Sequence, residues 1–152
     1  MPKDADLFSP SLTQTARQEL SAGSRPWRLG SQLYVAFFGG PLAIGAIGYL
    51  NGKRLGLSQQ RLWAIAGIGM LGFVALVITV SAFVDAGGRG RALIAVTGVA
   101  SYLVARELQK DGDRLYEINR NEDEAYDSLW GPGLAAVLVC GTAQALVLVA
   151  VL

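Results

Sequence analysis

Four stretches of this chain run for 14 to 23 residues without a charged side chain, and that pattern limits the fold more than any other feature. A helix rises 1.5 Å per residue, so crossing a hydrocarbon core about 30 Å thick takes about 20 mostly apolar residues. Residues 33–50 give 18 such positions with Tyr34 and Tyr49 near the ends, and residues 62–84 give 23 with Trp63 near one edge. Residues 134–152 give 19, preceded by Trp130 and by a Gly131-Pro132-Gly133 helix-entry signal. Residues 92–105 give 14, about 9 Å too few unless Arg89, Arg91 and Arg106 snorkel to the headgroups. The alternative for that third run is a short helix buried among its neighbours or re-entering from one face.

The expected fold is therefore all-α: an integral membrane four-helix bundle forming a single domain over residues 1–152. An amphipathic N-terminal segment precedes it, and a partly helical acidic loop lies between helices 3 and 4. Composition agrees, since charged residues make up 16% of the chain against roughly 25% in soluble domains. Residues 1–31 form a polar arm in which no cleavable secretory signal is expected. Ser9-Pro10 resembles a helix start, and Leu12, Ala16 and Leu20 place a weak apolar stripe on one face. That segment reads either as a surface helix with Trp27 near the interface or as a mobile arm.

Orientation rests on Lys and Arg in short loops, which stay in the cytoplasm. With four spans the count is nearly tied. The arm (Lys3, Arg17, Arg25, Arg28) and the second loop (Arg89, Arg91) give six, and the first loop (Lys53, Arg54, Arg61) and third (Arg106, Lys110, Arg114, Arg120) give seven. An even number of spans would put both termini on one side.

Several motifs resemble chemistry and lack its context. Gly67, Gly69 and Gly72 spell a dinucleotide-binding pattern in the middle of an apolar run, where no strand precedes them, so close helix packing is expected instead. Residues 85–91 form a Gly-rich basic turn without the Lys and Ser/Thr of a phosphate loop; Arg89 and Arg91 there are candidates for holding a lipid headgroup. Residues 106–130 carry eight acidic and four basic side chains, and Asn119, Asn121 and Asp123 begin like a calcium loop. Glu124 stands where such a loop needs Gly, and Trp130 where it needs Glu. Leu108, Leu115 and Ile118, with Ala125, Tyr126, Leu129 and Trp130, predict one or two surface helices in this loop.

The chain has no His, one Cys and a net charge of +1. Nucleic-acid binding is not expected, nor is a cofactor, a metal site or a catalytic centre. Cys140, inside an apolar run, reads as a small hydrophobe. Polar residues in or beside the spans are the best pointers to function, because each costs free energy in lipid unless partnered. Asn51, Asp85, Thr97, Ser101 and Gln144 form the candidate polar path. Thr97, Ser101 and Ala105 make a small-residue stripe, as do Gly48 and Gly52, and Gly40-Pro41 is placed to bend the first span.

Phe37-Phe38-Gly39-Gly40-Pro41-Leu42-Ala43, followed by Asn51, Leu55 and Gly56, resembles a pattern in small, uncharacterised bacterial multi-pass membrane proteins with a GGPLA core in the first helix. Ser128-Leu129-Trp130 is similar to a Ser-x-Trp before their last helix. The resemblance implies four spans over residues 33–150 and no particular activity, and the acidic insert departs from it. Together these readings lead to a multi-pass protein of the bacterial inner (cytoplasmic) membrane, with the lipid bilayer and a second copy or another membrane protein as partners. A non-enzymatic accessory role is expected, with a small-solute or ion channel or transporter as the alternative. The discriminating observation is whether the polar path residues converge on one water-accessible cavity.

Overall fold

A computed structural model describes residues 25–82, 90–119 and 126–151. They form a short 3-10 turn, Leu29–Ser31, and four helices: α1 (Gln32–Arg54), α2 (Gln59–Ala82), α3 (Gly90–Asn119) and α4 (Trp130–Val151). Three helical segments, Leu29–Arg54, Gln59–Ala82 and Trp130–Ala150, are long and apolar enough to cross a membrane. The N-terminal apolar stripe, Asp85, Arg89 and the start of the calcium-like pattern after Asn119 lie outside the described residues.

The first run is not one straight span. Inside α1, Gly40 has φ 69° and ψ −165°, a backbone region open essentially to glycine alone. Pro41 follows it; proline pushes the preceding residue out of the helical region and suits the first turn of a new helix. The chain therefore breaks into residues 32–39 and 41–54. In an unbroken helix Gln32 and Asn51 would stand about 28 Å apart, yet their side-chain amides lie 3.3 Å and 3.0 Å from the same Oε1 of Gln109. The two halves run side by side in opposite directions. Tyr102 packs against both Ala36 and Ile44, either side of the break. The expected bend at Gly40-Pro41 is a full reversal, and residues 33–50 form a helical hairpin.

A Schellman motif ends the hairpin: Leu57 N–H donates to Gly52 O (3.0 Å) and Gly56 N–H to Lys53 O (3.1 Å), with Gly56 at φ 68°. Ser58 then starts α2, its carbonyl accepting from Leu62 N–H at 3.0 Å. Helix α2 packs antiparallel to residues 41–54. A Cβ on Gly52 would meet Leu62 at 2.8 Å, one on Gly48 would meet Ile65 at 2.8 Å, and one on Gly45 would meet Gly69 Cα at 2.9 Å. Gly72 reaches Pro41, so the tip lies part-way along α2, which continues for ten more residues, about 15 Å. Of the three glycines in the nucleotide-like pattern, Gly69 and Gly72 make close contacts, whereas Gly67 has nothing within 4 Å.

Helix α3 runs back alongside the hairpin. Ile94 and Gly98 meet Gly40, Ala105 and Gln109 meet Gly48, and Gly112 meets Leu55 and Leu57. It then continues to Asn119, so residues 106–119, expected as part of a partly helical loop, extend a single 30-residue helix. The reason is local: this stretch has no Pro, and its one Gly, Gly112, is buried against Leu55 and Leu57. Lys110 and Glu107 pair one turn apart on the exposed side. Helix α4 starts beside Tyr34, passes Gly39 at Val137 and ends with Leu148 against Leu76 and Val80. All the chain around 25–32, 51–59, 106–119 and 126–133 therefore gathers at one end of the bundle, the near end; residues 76–82, 90–94 and 148–151 form the far end.

Candidate functional site

Two buried polar clusters mark the interior, and the hairpin creates both. At the near end Asn51, fully buried, sits in the last turns of α1. Its Oδ1 accepts from Trp27 N–H at 2.7 Å, and its Nδ2 donates to Gln109 Oε1 at 3.0 Å. Gln32 Nε2 donates to the same oxygen at 3.3 Å, and Gln109 Nε2 donates to Ala105 O at 3.2 Å. Three buried amides from both arms of the hairpin and from α3 thus satisfy one another. Buried donors and acceptors of this kind cost free energy when left unpaired, so the junction fixes the register of the hairpin against α3.

A lid covers this junction. Trp27 is 2% exposed. The Arg54 guanidinium lies over its ring, 3.8 Å from the centroid, a geometry worth about 0.5–2 kcal/mol. Arg54 also donates to Arg25 O at 2.7 Å and pairs with Asp127 at 3.1 Å, while Asp127 N–H donates to Pro26 O at 3.0 Å. The chain before α1 and the chain before α4 are therefore tied together through α1. Beside them Tyr34 donates to Leu129 O at 2.7 Å and stacks on Trp130 at 5.7 Å between centroids. Further along α3, Asp113 accepts from Tyr126 at 3.0 Å, and burial pushes its carboxyl above the ordinary value despite that hydrogen bond.

The second cluster lies at the hairpin tip. Proline has no N–H, and the break leaves the first N–H groups of residues 41–54 without helical partners. Gln144 from α4, 1% exposed, places Oε1 3.5 Å from Leu42 N. Ser101 and Gly98 of α3 pack around the same turn, against Gly72 and Ala36 O.

Of the five path candidates, Asn51 belongs to the near junction, and Ser101 and Gln144 lie at the tip. Thr97 donates to Leu93 O at 2.7 Å within its own helix. Asp85 is outside the described residues, as are Arg89 and the side chain of Arg91. The described candidates are thus divided between separate helix contacts. Gln32, Gln109, Trp27 and Arg54 were not among them. Gln109 had a readable signal: Gly98, Ser101, Ala105, Gln109 and Gly112 continue one small or polar stripe at spacings of three and four. Among the described residues no group of three His, Cys, Asp or Glu side chains is gathered as a metal would need. No known protein family, curated protein or solved structure matches this chain.

Proposed function

We propose that the protein is a multi-pass integral protein of the inner (cytoplasmic) membrane, in which α2, the first half of α3 and α4 cross the bilayer and α1 re-enters. Large apolar side chains exposed around the bundle support this, among them Leu71 (71%), Val139 (70%) and Val149 (76%). The pairs Tyr49–Trp63 and Tyr34–Trp130 lie towards the near end, where an aromatic belt would sit. From Gly90 to Ala105 α3 spans about 24 Å, and Arg106 begins the charged extension beyond.

Folding α1 back changes the topology and the charge count with it. Arg25, Arg28, Lys53, Arg54 and Arg61 lie at the near end, as do Arg106, Lys110 and Arg114 on α3; that makes eight, against Arg91 alone among the described residues at the other end. The near end is accordingly cytoplasmic, and the C-terminal end of α4 lies on the opposite side. In a Cys140→Ser background, Ser31→Cys and Ser58→Cys both react with an impermeant thiol reagent from the cytoplasmic side, and Ala150→Cys reacts from the outer side. Labelling of positions 31 and 58 from opposite sides would overturn the re-entrant reading.

Within that membrane we place the protein as a non-enzymatic accessory or interaction subunit. The observation that carries this is the use of Asn51, Gln109, Gln32 and Gln144 in internal contacts. One feature favours the alternative, a channel or transporter for a small solute: a helix broken part-way along the bundle is a device such proteins use at their binding sites. Purification in mild detergent decides between them. A stoichiometric membrane-protein partner is the expected result, and a lone protein that carries solute flux in liposomes is the opposing one.

A further inference from the structure

Between residues 41–54 of α1 and helix α2 runs an open, almost wholly apolar groove of about 470 Å³. Leu42, Ala46 and Tyr49 form one wall and Trp63, Ala66 and Met70 the other, while Gly45 and Gly69 make up the floor. The two glycines bring the helices close at the bottom, and the two alanines leave the space above them free. We propose that this groove holds an acyl chain of an anionic phospholipid from the cytoplasmic leaflet, with Lys53 at its headgroup; the proposal rests on the membrane placement above.

Three features choose this occupant. The groove opens sideways along the bundle, towards lipid rather than water. It fits within one leaflet: Leu42 to Tyr49 is about 10 Å along the helix, against the roughly 15 Å half-thickness of the hydrocarbon core. It stops at the hairpin tip because its first wall reverses there. A transmembrane helix of a second copy would instead need a surface continuing along the whole of α2. The third feature is charge. Leu42, Ala46, Tyr49 and Lys53 share one face of the helix, so Lys53 stands at the groove mouth, one turn beyond the Tyr49–Trp63 pair. Its neighbours Arg54 and Arg61 pair with Asp127 and Asp111, whereas Lys53 is exposed and makes no ion pair among the described residues. A phosphodiester headgroup without a compensating amine charge is the complement of an ammonium at that depth.

Trp63 lies in the groove wall and reports occupancy directly. With Trp130→Phe removing the other exposed indole, the protein is reconstituted in vesicles carrying brominated acyl chains on either phosphatidylglycerol or phosphatidylcholine. Brominated phosphatidylglycerol is expected to quench Trp63 with about fivefold higher apparent affinity, the effect of one lysine near a headgroup. Lys53→Gln removes that preference, and filling the groove with Ala46→Phe, or from the other wall with Ala66→Phe, lowers quenching by both lipids. Equal quenching by the two headgroups, or a preference that survives Lys53→Gln and both groove-filling variants, overturns the site while leaving the membrane placement intact. Absence of quenching by either lipid overturns both.

Discussion

Replacing Gly40 by Ala separates the hairpin from a straight span by the sign of its effect. In a continuous helix an alanine at this position stabilises by about 0.5–1 kcal/mol relative to glycine. At φ 69° and ψ −165° it does the opposite: a residue with a Cβ held in this region costs about 1–3 kcal/mol. The new methyl would also stand 2.5 Å from Gln144 Nε2 and 3.1 Å from Ile94 Cγ2. The Gln144 amide can give way, being the far end of a flexible side chain, though shifting it weakens a contact to the part-buried Leu42 N–H that already stands at 3.5 Å. The expected loss is therefore about 1–3 kcal/mol from the backbone, to which the weakened contact adds.

Two reference substitutions calibrate the number. Gly56 also has positive φ, 68°, but nothing lies within 4 Å of its added Cβ, so Gly56→Ala carries backbone strain alone, about 1–2 kcal/mol. Gly67 is helical and faces open space, so Gly67→Ala stabilises by about 0.5–1 kcal/mol. Equilibrium unfolding in mixed micelles, with helix content as the signal, should rank Gly40→Ala as most destabilised, Gly56→Ala next and Gly67→Ala above wild type. A Gly40→Ala protein at least as stable as wild type would refute the reversal.

Two further substitutions probe the near end. Asn51→Leu strands Trp27 N–H and should cost about 1–3 kcal/mol; combined with Gln109→Leu it should be clearly non-additive, and a strictly additive double variant would dissolve the proposed junction. Burial raises the Asp113 carboxyl above its ordinary 3.8, opposed by the Tyr126 hydrogen bond and by Arg28 and Arg106 and helped by Glu117, so the folded protein holds this proton more tightly than the unfolded chain. Stability then falls as pH rises through the range above 3.8; Asp113→Asn should flatten that slope and be the more stable protein at neutral pH, whereas unchanged pH profiles would contradict the assignment.

The helical class and the apolar segments were legible because uncharged length is a one-dimensional property, read along the chain without knowledge of its packing. The hairpin was half legible. Gly40-Pro41 announces a break, but whether the chain bends or reverses depends on what receives the second half, and Gln109 and Asn51 lie 58 positions apart. That α3 runs unbroken into the charged segment was not legible for a different reason: residues 106–130 read as a partly helical loop with one or two separate surface helices. Acidic side chains between two apolar runs look like a connector, yet Glu, Lys, Arg and Gln are good helix formers, so a helix need not end where the apolar run does. The burial of Trp27 was not legible, because it depends on Arg54, 27 positions along the chain, closing over the ring.

Gln144 changes meaning once the reversal is recognised. In a bundle of four straight helices, an amide in the middle of a span is a polar group looking for a solute, and Asn51, Ser101 and Gln144 would be counted as stations on one path. A helix that reverses inside the bundle creates a different demand. Its turn leaves backbone N–H groups without helical partners among packed helices, and each needs an acceptor inside the protein. Gln144 supplies the acceptor to Leu42, just after the only proline in α1. At the opposite end, where Trp27 N–H faces the returning helix, Asn51 supplies another. Both amides therefore act as the cost of folding a helix back on itself, and Gln144→Leu should weaken the hairpin even in a protein that transports nothing. Retention of wild-type stability by that variant would return Gln144 to the candidate solute path.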